Sequence, residues 1–481
     1  MLAIFLTCYS LILFRRLFMF HETQIWAEAP SKETAASETL KTIVDFKTGI
    51  VRALIEYARR NDEPKFFTYT AWICNTAPFS DVNVQRYSAS TALTRHEAMM
   101  KALGEAVERY CSAVYRLHDF VYASYREMGD RAVAPQRFLS FSQKQMATDP
   151  FQQFRFDDDT RFRWVQGYSL THHRPLYVPA QLIYVPYVYT DEPILRFPIS
   201  AGKSLGPSYA WALYHGICEL VERDAWMINY LNKLPREQVE LEASRNETIT
   251  KMNVTFKKYG LDLYVYDITT DIPIPSMLAL LVDRSGRGPT LLSGASTGLD
   301  PKDAVIGAIE EAQQLRPSLQ DVLLRNPYTR EILQVRRNPN LIRCVYELPG
   351  GVSGNLLRLL YWSGLEMIDK LDFLLNSDKR KGIDDIPDAS STDLRDNLRT
   401  VLNVLEKRNC EVIFVDVTTP DVKCLGMKVV SVVIPELMPL YLDEAYKYLG
   451  NERLYSVPKT LGYRTTPSRE EDLNPIPHPF V

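Results

Sequence analysis

Three segments carry acidic or amide side chains three residues apart: Glu105-Ala-Val-Glu108-Arg109, Glu219-Leu-Val-Glu222-Arg223 and Glu311-Ala-Gln-Gln314. At roughly 100° per residue, each pair shares one face of a helix. One such motif alone reads as a solvated helix face whose i,i+4 ion pair is worth roughly a few tenths of a kcal/mol. The three copies match in more than the pair. Met99, Leu103 and Ala106 fall on one apolar stripe turned away from the carboxylates. Leu213, Ile217 and Leu220 repeat it at the same offsets, and so do Val305, Ile309 and Ala312. Fifteen residues before each first Glu stands a serine, Ser90, Ser204 and Ser296, in a run of mostly small residues. Carboxylates gathered without histidine or thiolate suit a hard cation such as Mg²⁺, which usually arrives with phosphates. Loops of small residues let backbone N–H groups approach an anion. The pattern points to a nucleotide site where helices converge.

Common alternatives fail on residues. Gly202-Lys203-Ser204 would need a glycine five positions earlier to make a P-loop, and Phe197 stands there. There is no G-x-G-x-x-G, no kinase-type catalytic loop and no H-E-x-x-H. His172-His173 sits in a polar stretch and reads as a surface turn. The seven cysteines are scattered and form no C-x-x-C, so a reducing cytoplasm fits better than a disulfide framework. Lys and Arg total 56 against 59 Asp and Glu, which gives no electrostatic reason to expect nucleic acid.

The 481 residues, 46% hydrophobic and 24% charged, can build a sizeable soluble core. Leu2–Phe14 is apolar but shorter than the roughly 20 residues of a spanning helix. Arg15 and Arg16 follow that run, whereas a signal peptide carries its charge before it. Residues 1–40 are read as a pendant segment, with Met19 as an alternative start and a peripheral anchor as the other reading. The pattern predicts an amphipathic helix over Ser37–Arg59, a strand at Phe66–Ile73 and a helix after Thr94. Further strands are expected at Phe162–Val165, Leu176–Val178, Leu263–Tyr266, Met277–Leu281 and Val412–Val417. Helices alternate with them, so the fold class is α/β (α+β). Asn376–Asp393 reads as an exposed loop, and the proline-rich stretch from Pro467 as an extended end.

At these residues the sequence resembles the YcaO family. The similar signatures are Ala102-Leu-Gly-Glu105-Ala-Val-Glu108-Arg109, His215-Gly-Ile-Cys-Glu219-Leu-Val-Glu222-Arg223-Asp224-Ala-Trp226 and Ala308-Ile-Glu-Glu311-Ala-Gln-Gln314-Leu-Arg316. Lys47-Thr-Gly49, Leu371-Asp-Phe-Leu374 and Val415-Asp-Val-Thr-Thr-Pro-Asp421 also match. The end, Leu473-Asn-Pro475-Ile-Pro477-His-Pro479-Phe-Val481, looks like that of the family's peptide-cyclising branch. The resemblance implies the family's own ATP-binding fold over residues 41–466, with 467–481 as a tail reaching towards the active site.

The resemblance further implies an enzyme using ATP and Mg²⁺ to convert Cys, Ser or Thr of a ribosomal precursor peptide to azolines, in bacteriocin-like natural-product maturation. A side-chain nucleophile adds to the preceding amide, and phosphorylation turns the resulting oxyanion into a leaving group. On the family's pattern, Glu105, Glu108, Glu219, Glu222 and Glu311 hold Mg²⁺ and ATP. Ser90, Ser204, Gln314, Arg109, Arg223 and Arg316 support the nucleotide. Pro475, Pro477, His478 and Pro479 are the tail's catalytic candidates, with His478 as acid or base. The sequence departs from the family at Ser90, Ala92, Ala201 and Val481. Only some 45 residues precede the matching part, so the leader-binding region of fused cyclodehydratases is expected on a separate partner resembling ubiquitin-activating enzymes. A flavin dehydrogenase acting afterwards and a homodimeric state are the other expectations. Rival readings are thioamide formation with a TfuA-like partner, amidine closure, and a non-catalytic peptide-binding scaffold.

Overall fold

The computed structural model describes residues 22–26, 38–58, 61–286, 288–325, 342 and 354–480. The apolar run 2–14, the start at Met19 and Val481 lie outside them. Described residues form three sheets. The first is a meander of β1 (Val51–Glu56), β2 (Phe67–Ile73) and β3 (Tyr87–Ala92). The second contains β4 (Val121–Ser124), β5 (Arg161–Ser169), β6 (Arg174–Pro179), β7 (Lys203–Gly206), β13 (Ile413–Asp416) and β14 (Lys428–Val433). Its order is β4-β5-β13-β14-β7, with β6 beside β5. The third runs β11 (Leu291–Thr297), β10 (Ser276–Asp283), β9 (Leu261–Asp267), β8 (Glu237–Glu240), β12 (Arg380–Gly382). Among the described residues, every strand of the mixed α+β fold pairs antiparallel except β12 with β8.

Helices cover these sheets: α1 (Arg95–Ala113), α2 (Tyr209–Leu231), α3 (Glu247–Lys258), α4 (Pro301–Gln314), α5 (Arg316–Arg325), α6 (Gly354–Tyr361), α7 (Leu394–Glu406) and α8 (Arg453–Thr460). Three of them start the same way. Each follows a strand after a two- or three-residue turn and is capped by a side-chain oxygen: Thr94 for α1, Ser208 for α2, Asp300 for α4. Pro301 adds a preset φ at the first turn of α4. The result is three strand–helix units, β3–α1, β7–α2 and β11–α4, one from each sheet. The apolar stripes face inward as their spacing requires. Leu103, Ala106, Leu213, Ile217, Val305, Ile309 and Ala312 are buried, and Met99 and Leu220 partly so.

The six strands expected from pattern are present. The helix expected over Ser37–Arg59 is not: only residues 38–41 are helical, and Val51–Glu56 is β1, paired with β2. Asp45 breaks the helix. Its Oδ1 accepts the N–H groups of Lys47 and Thr48, a turn that redirects the chain into the β-branched and apolar residues of β1. The loop expected at Asn376–Asp393 is largely exposed but contributes edge strand β12. Lys381 of β12 reaches Asp267 at 2.7 Å.

The small-residue runs are largely strand, with a turn at 200–202. Ser88–Thr91 lies within β3, Ser204 within β7 and Ser296 within β11. Their small side chains let a helix lie directly on the strand. A Cβ on Gly294 would stand 2.2 Å from the Ala312 nitrogen and 2.4 Å from the Ala308 carbonyl oxygen of α4. Gly202, at φ +82°, takes the left-handed turn that leads into β7.

Candidate active site

The first Glu of each repeat stands at the same depth in its helix and finds its own unit's strand. Glu219 accepts the Gly202 N–H at 3.0 Å. Glu311 accepts the Ala295 N–H at 2.6 Å. Glu105 faces Ser90 Oγ at 3.5 Å and the Ala89 backbone. The second member of each pair crosses to the next unit. Glu108 of α1 accepts the Leu205 N–H of β7 at 2.7 Å. Glu222 of α2 faces the Thr297 N–H of β11, which steadies its charge. Gln314 of α4 donates its amide N–H to the Ala89 carbonyl of β3 at 2.6 Å. The units therefore close into a ring, first to second, second to third, third to first. Each helix packs on its own strand and on the next unit's.

The ring explains why the third repeat breaks the acidic pattern. Its partner atom is a carbonyl oxygen, so the side chain must donate, and only the amide can. Gln314→Glu sets two acceptors against each other. We expect a loss of about 1–3 kcal/mol in urea unfolding at pH 8, shrinking at low pH where a protonated Glu can donate again.

Charge is concentrated here. Burial, opposed by Arg109 and reinforced by Glu219, raises the Glu105 carboxyl above its ordinary range. Burial, with Glu219 and Glu105 adding repulsion, pushes Glu108 up to about 8. Burial also pushes Glu222 up to about 8, with Arg223 opposing and Glu311 and Glu219 reinforcing. Glu311 is raised for the same reasons. Yet the side chains of Glu105 and Glu219 are 29% and 28% exposed, so solvent reaches both carboxylates.

Arg109 pairs with Glu105 and donates to the Tyr87 carbonyl at 2.7 Å. Arg223 reaches Glu219 at 3.3 Å and Glu222 at 2.6 Å. Sequence reasoning set Lys203 aside with the failed P-loop, but it belongs here. It is buried, donates to the Ile199 carbonyl at 3.0 Å, and burial lowers it to about 8 despite the pull of Glu219 and Glu108. Its signal was its place between the two residues whose N–H groups bind Glu219 and Glu108. Ser204 is buried in β7.

Two of the expected site residues are engaged by other partners. Arg316 is committed elsewhere: its Nε meets Glu63 at 2.8 Å and its Nη2 meets Asp283 at 2.9 Å, with all three side chains buried. It braces α5 against β10. His478 is fully buried and donates from Nε2 to the Tyr441 carbonyl at 2.8 Å. Burial, then the Arg358 charge, hold it neutral, well below its ordinary range. The ring packed this way anchors the tail. The prolines around it bring the tail to the site, for Phe480 lies over the Arg223 guanidinium, 4.4 Å from ring centroid to Cζ.

The five carboxylates do not form one metal cage. Among the described residues, no three His, Cys, Asp or Glu side chains converge closely enough to hold an ion alone. Each carboxylate is instead held back by a backbone N–H or an arginine. That still fits Mg²⁺, which is usually bound by one or two carboxylates and completes its shell with water and phosphate oxygens. Crowded carboxylates raised by burial and mutual repulsion are the donor set such a cation would relieve.

Residues 90–438 match the family model for the YcaO cyclodehydratase, ATP- and Mg²⁺-binding. A solved heterocyclase in complex with substrate and cofactor superposes with a TM-score of 0.74 at 24% identity, over 92% of this chain and 57% of its own. The heterocyclase TruD gives a TM-score of 0.60 at 25% identity, over 80% of this chain and 51% of its own. The chain thus spans just over half the length of these two heterocyclases. An uncharacterised protein of Methanothermobacter thermautotrophicus is 25% identical over 74% of this chain and 82% of its own. Among the described residues no helix is long and apolar enough to cross a membrane. The carboxylate ring, the shared fold and a family match across most of the chain lead to one conclusion: this protein belongs to the YcaO family.

Proposed function

We propose that the chain is the ATP- and Mg²⁺-dependent cyclodehydratase subunit that forms azolines from Cys, Ser or Thr of a precursor peptide. Residues 41–466 are its catalytic domain and 467–481 the tail that completes it. The observation that carries this reading is the carboxylate ring closed by three strand–helix units. ATP with Mg²⁺, when bound, supplies the phosphoryl group that makes the amide-derived oxygen a leaving group. Glu105, Glu108, Glu219, Glu222 and Glu311 line the cleft where that charge is held. Backbone N–H groups of Gly202, Leu205 and Ala295 fix three of them and cost no reorganisation during reaction. Arg109, Arg223 and Lys203 limit the repulsion of the free cleft and stand ready for phosphate oxygens. The peptide is presented by a separate leader-binding partner, a flavin dehydrogenase can act on the product, and the enzyme is a cytoplasmic homodimer.

The test is incubation with Mg²⁺, ATP, partner protein and a Cys- or Ser/Thr-bearing peptide, followed by mass spectrometry. We expect ADP and a loss of about 18 Da, one water, per ring. A gain of about 16 Da identifies a thioamide enzyme instead. An unmodified peptide with no ADP identifies a scaffold. Fragmentation that locates the ring separates azoline from amidine.

A further inference from the structure

The tail is held by a set of side chains that the carboxylate ring does not use. Proline has no backbone N–H, so this segment can be buried without stranding donors, and what it offers is carbonyl oxygens. Those are met one by one. Lys447 Nζ donates to the Pro475 carbonyl at 3.0 Å. Tyr230 Oη and Trp362 Nε1 donate to the Pro477 carbonyl at 3.0 and 2.9 Å. Arg358, fully buried and paired with Glu444, donates to the His478 carbonyl at 3.0 Å. The chain held this way delivers Phe480, itself 1% exposed, between Trp226 and Arg223. Among the described residues, the buried Nε and Nη1 of Arg223 have no hydrogen-bond partner, while its Nη2 reaches Glu219 and its Nη1 lies 2.6 Å from Glu222 as an ion pair. An aromatic face is the group that can satisfy such a cation without adding another charge.

We propose that Phe480 is a positioning residue for the carboxylate ring, acting through Arg223, and that Arg358 is the clamp that delivers it. This rests on reading the ring as the nucleotide site. Seating of the tail fixes the guanidinium, and the guanidinium fixes Glu219 and Glu222. The experiment replaces Phe480 by 3,4,5-trifluorophenylalanine, which keeps shape and burial but drains charge from the ring face. We expect ADP formation to fall at least about tenfold with the thermal midpoint unchanged, and Phe480→Leu to fall further. Full turnover in the fluorinated protein, where packing alone mattered, overturns the proposal. A second measurement needs no activity: the thermal midpoints of wild type, Phe480→Leu, Arg223→Met and the double variant. Non-additive midpoints are expected, and additive ones overturn the contact. A wild-type protein that makes no ADP defeats the functional reading, while the midpoints still decide this one.

Discussion

Glu108→Gln is expected to lower ATP turnover by at least about 10²-fold and to leave the fold intact. The amide oxygen can still accept the Leu205 N–H, so the local packing survives while the charge facing the cleft is lost. The same change stabilises the ligand-free protein in a defined pH window. Burial lifts the Glu108 carboxyl from 4.5 to about 8. A folded-state pKa above the unfolded one means stability is complete below 4.5 and is lost as pH rises through about 8. Glutamine has no proton to lose. Urea unfolding should therefore give equal stabilities near pH 4 and favour the variant near pH 9 by about 1–3 kcal/mol, allowing for water at this partly exposed side chain. Wild-type turnover contradicts the site, and equal stability at both pH values contradicts the burial argument.

Arg453→Met costs about 3–5 kcal/mol, a large part of the roughly 5–15 kcal/mol that holds a domain together. Asp224, next to Arg223, is fully buried. One of its oxygens accepts the Met438 N–H and Arg453 Nε, both at 2.8 Å, and the other meets Arg453 Nη2 at 2.7 Å. Arg453 also holds Asp271 at 2.8 Å. Without the guanidinium, Asp224 is left as a buried charge with only a backbone donor. Arg453→Lys should not rescue it, since a point cation cannot serve both carboxylates through a fork. The pair Asp224→Asn with Arg453→Met should recover part of the loss in chemical denaturation. A loss below about 1 kcal/mol in the single variant would show that water reaches the pair.

Much of the site was legible because helices advertise themselves. The repeat of Glu105, Glu219 and Glu311 with their apolar stripes needed only the 3.6-residue period, and Thr94 marks where the first of the helices begins. The strands β3, β7 and β11 were misread, because serine, alanine and glycine have low strand propensity and owe their place to a helix lying close above them. Arg316 and His478 have partners their motifs do not announce, for a related reason. A motif fixes spacing along one helix or tail, but the partner that claims a side chain comes from elsewhere, as Asp283 and Tyr441 do. The exchange of partners around the ring was invisible, since it joins residues as distant as Ala89 and Gln314.

That distance bears on how the protein comes into being. The last link of the ring closes a span of 225 residues, and the Glu108–Leu205 link one of 97. Loop-closure entropy must be overcome before such contacts reward the chain, so assembly is slow and partly built states expose unpaired edges. No contiguous third of the polypeptide contains the ring. A nascent or clipped chain can therefore hold well-formed helices and still lack the closed ring.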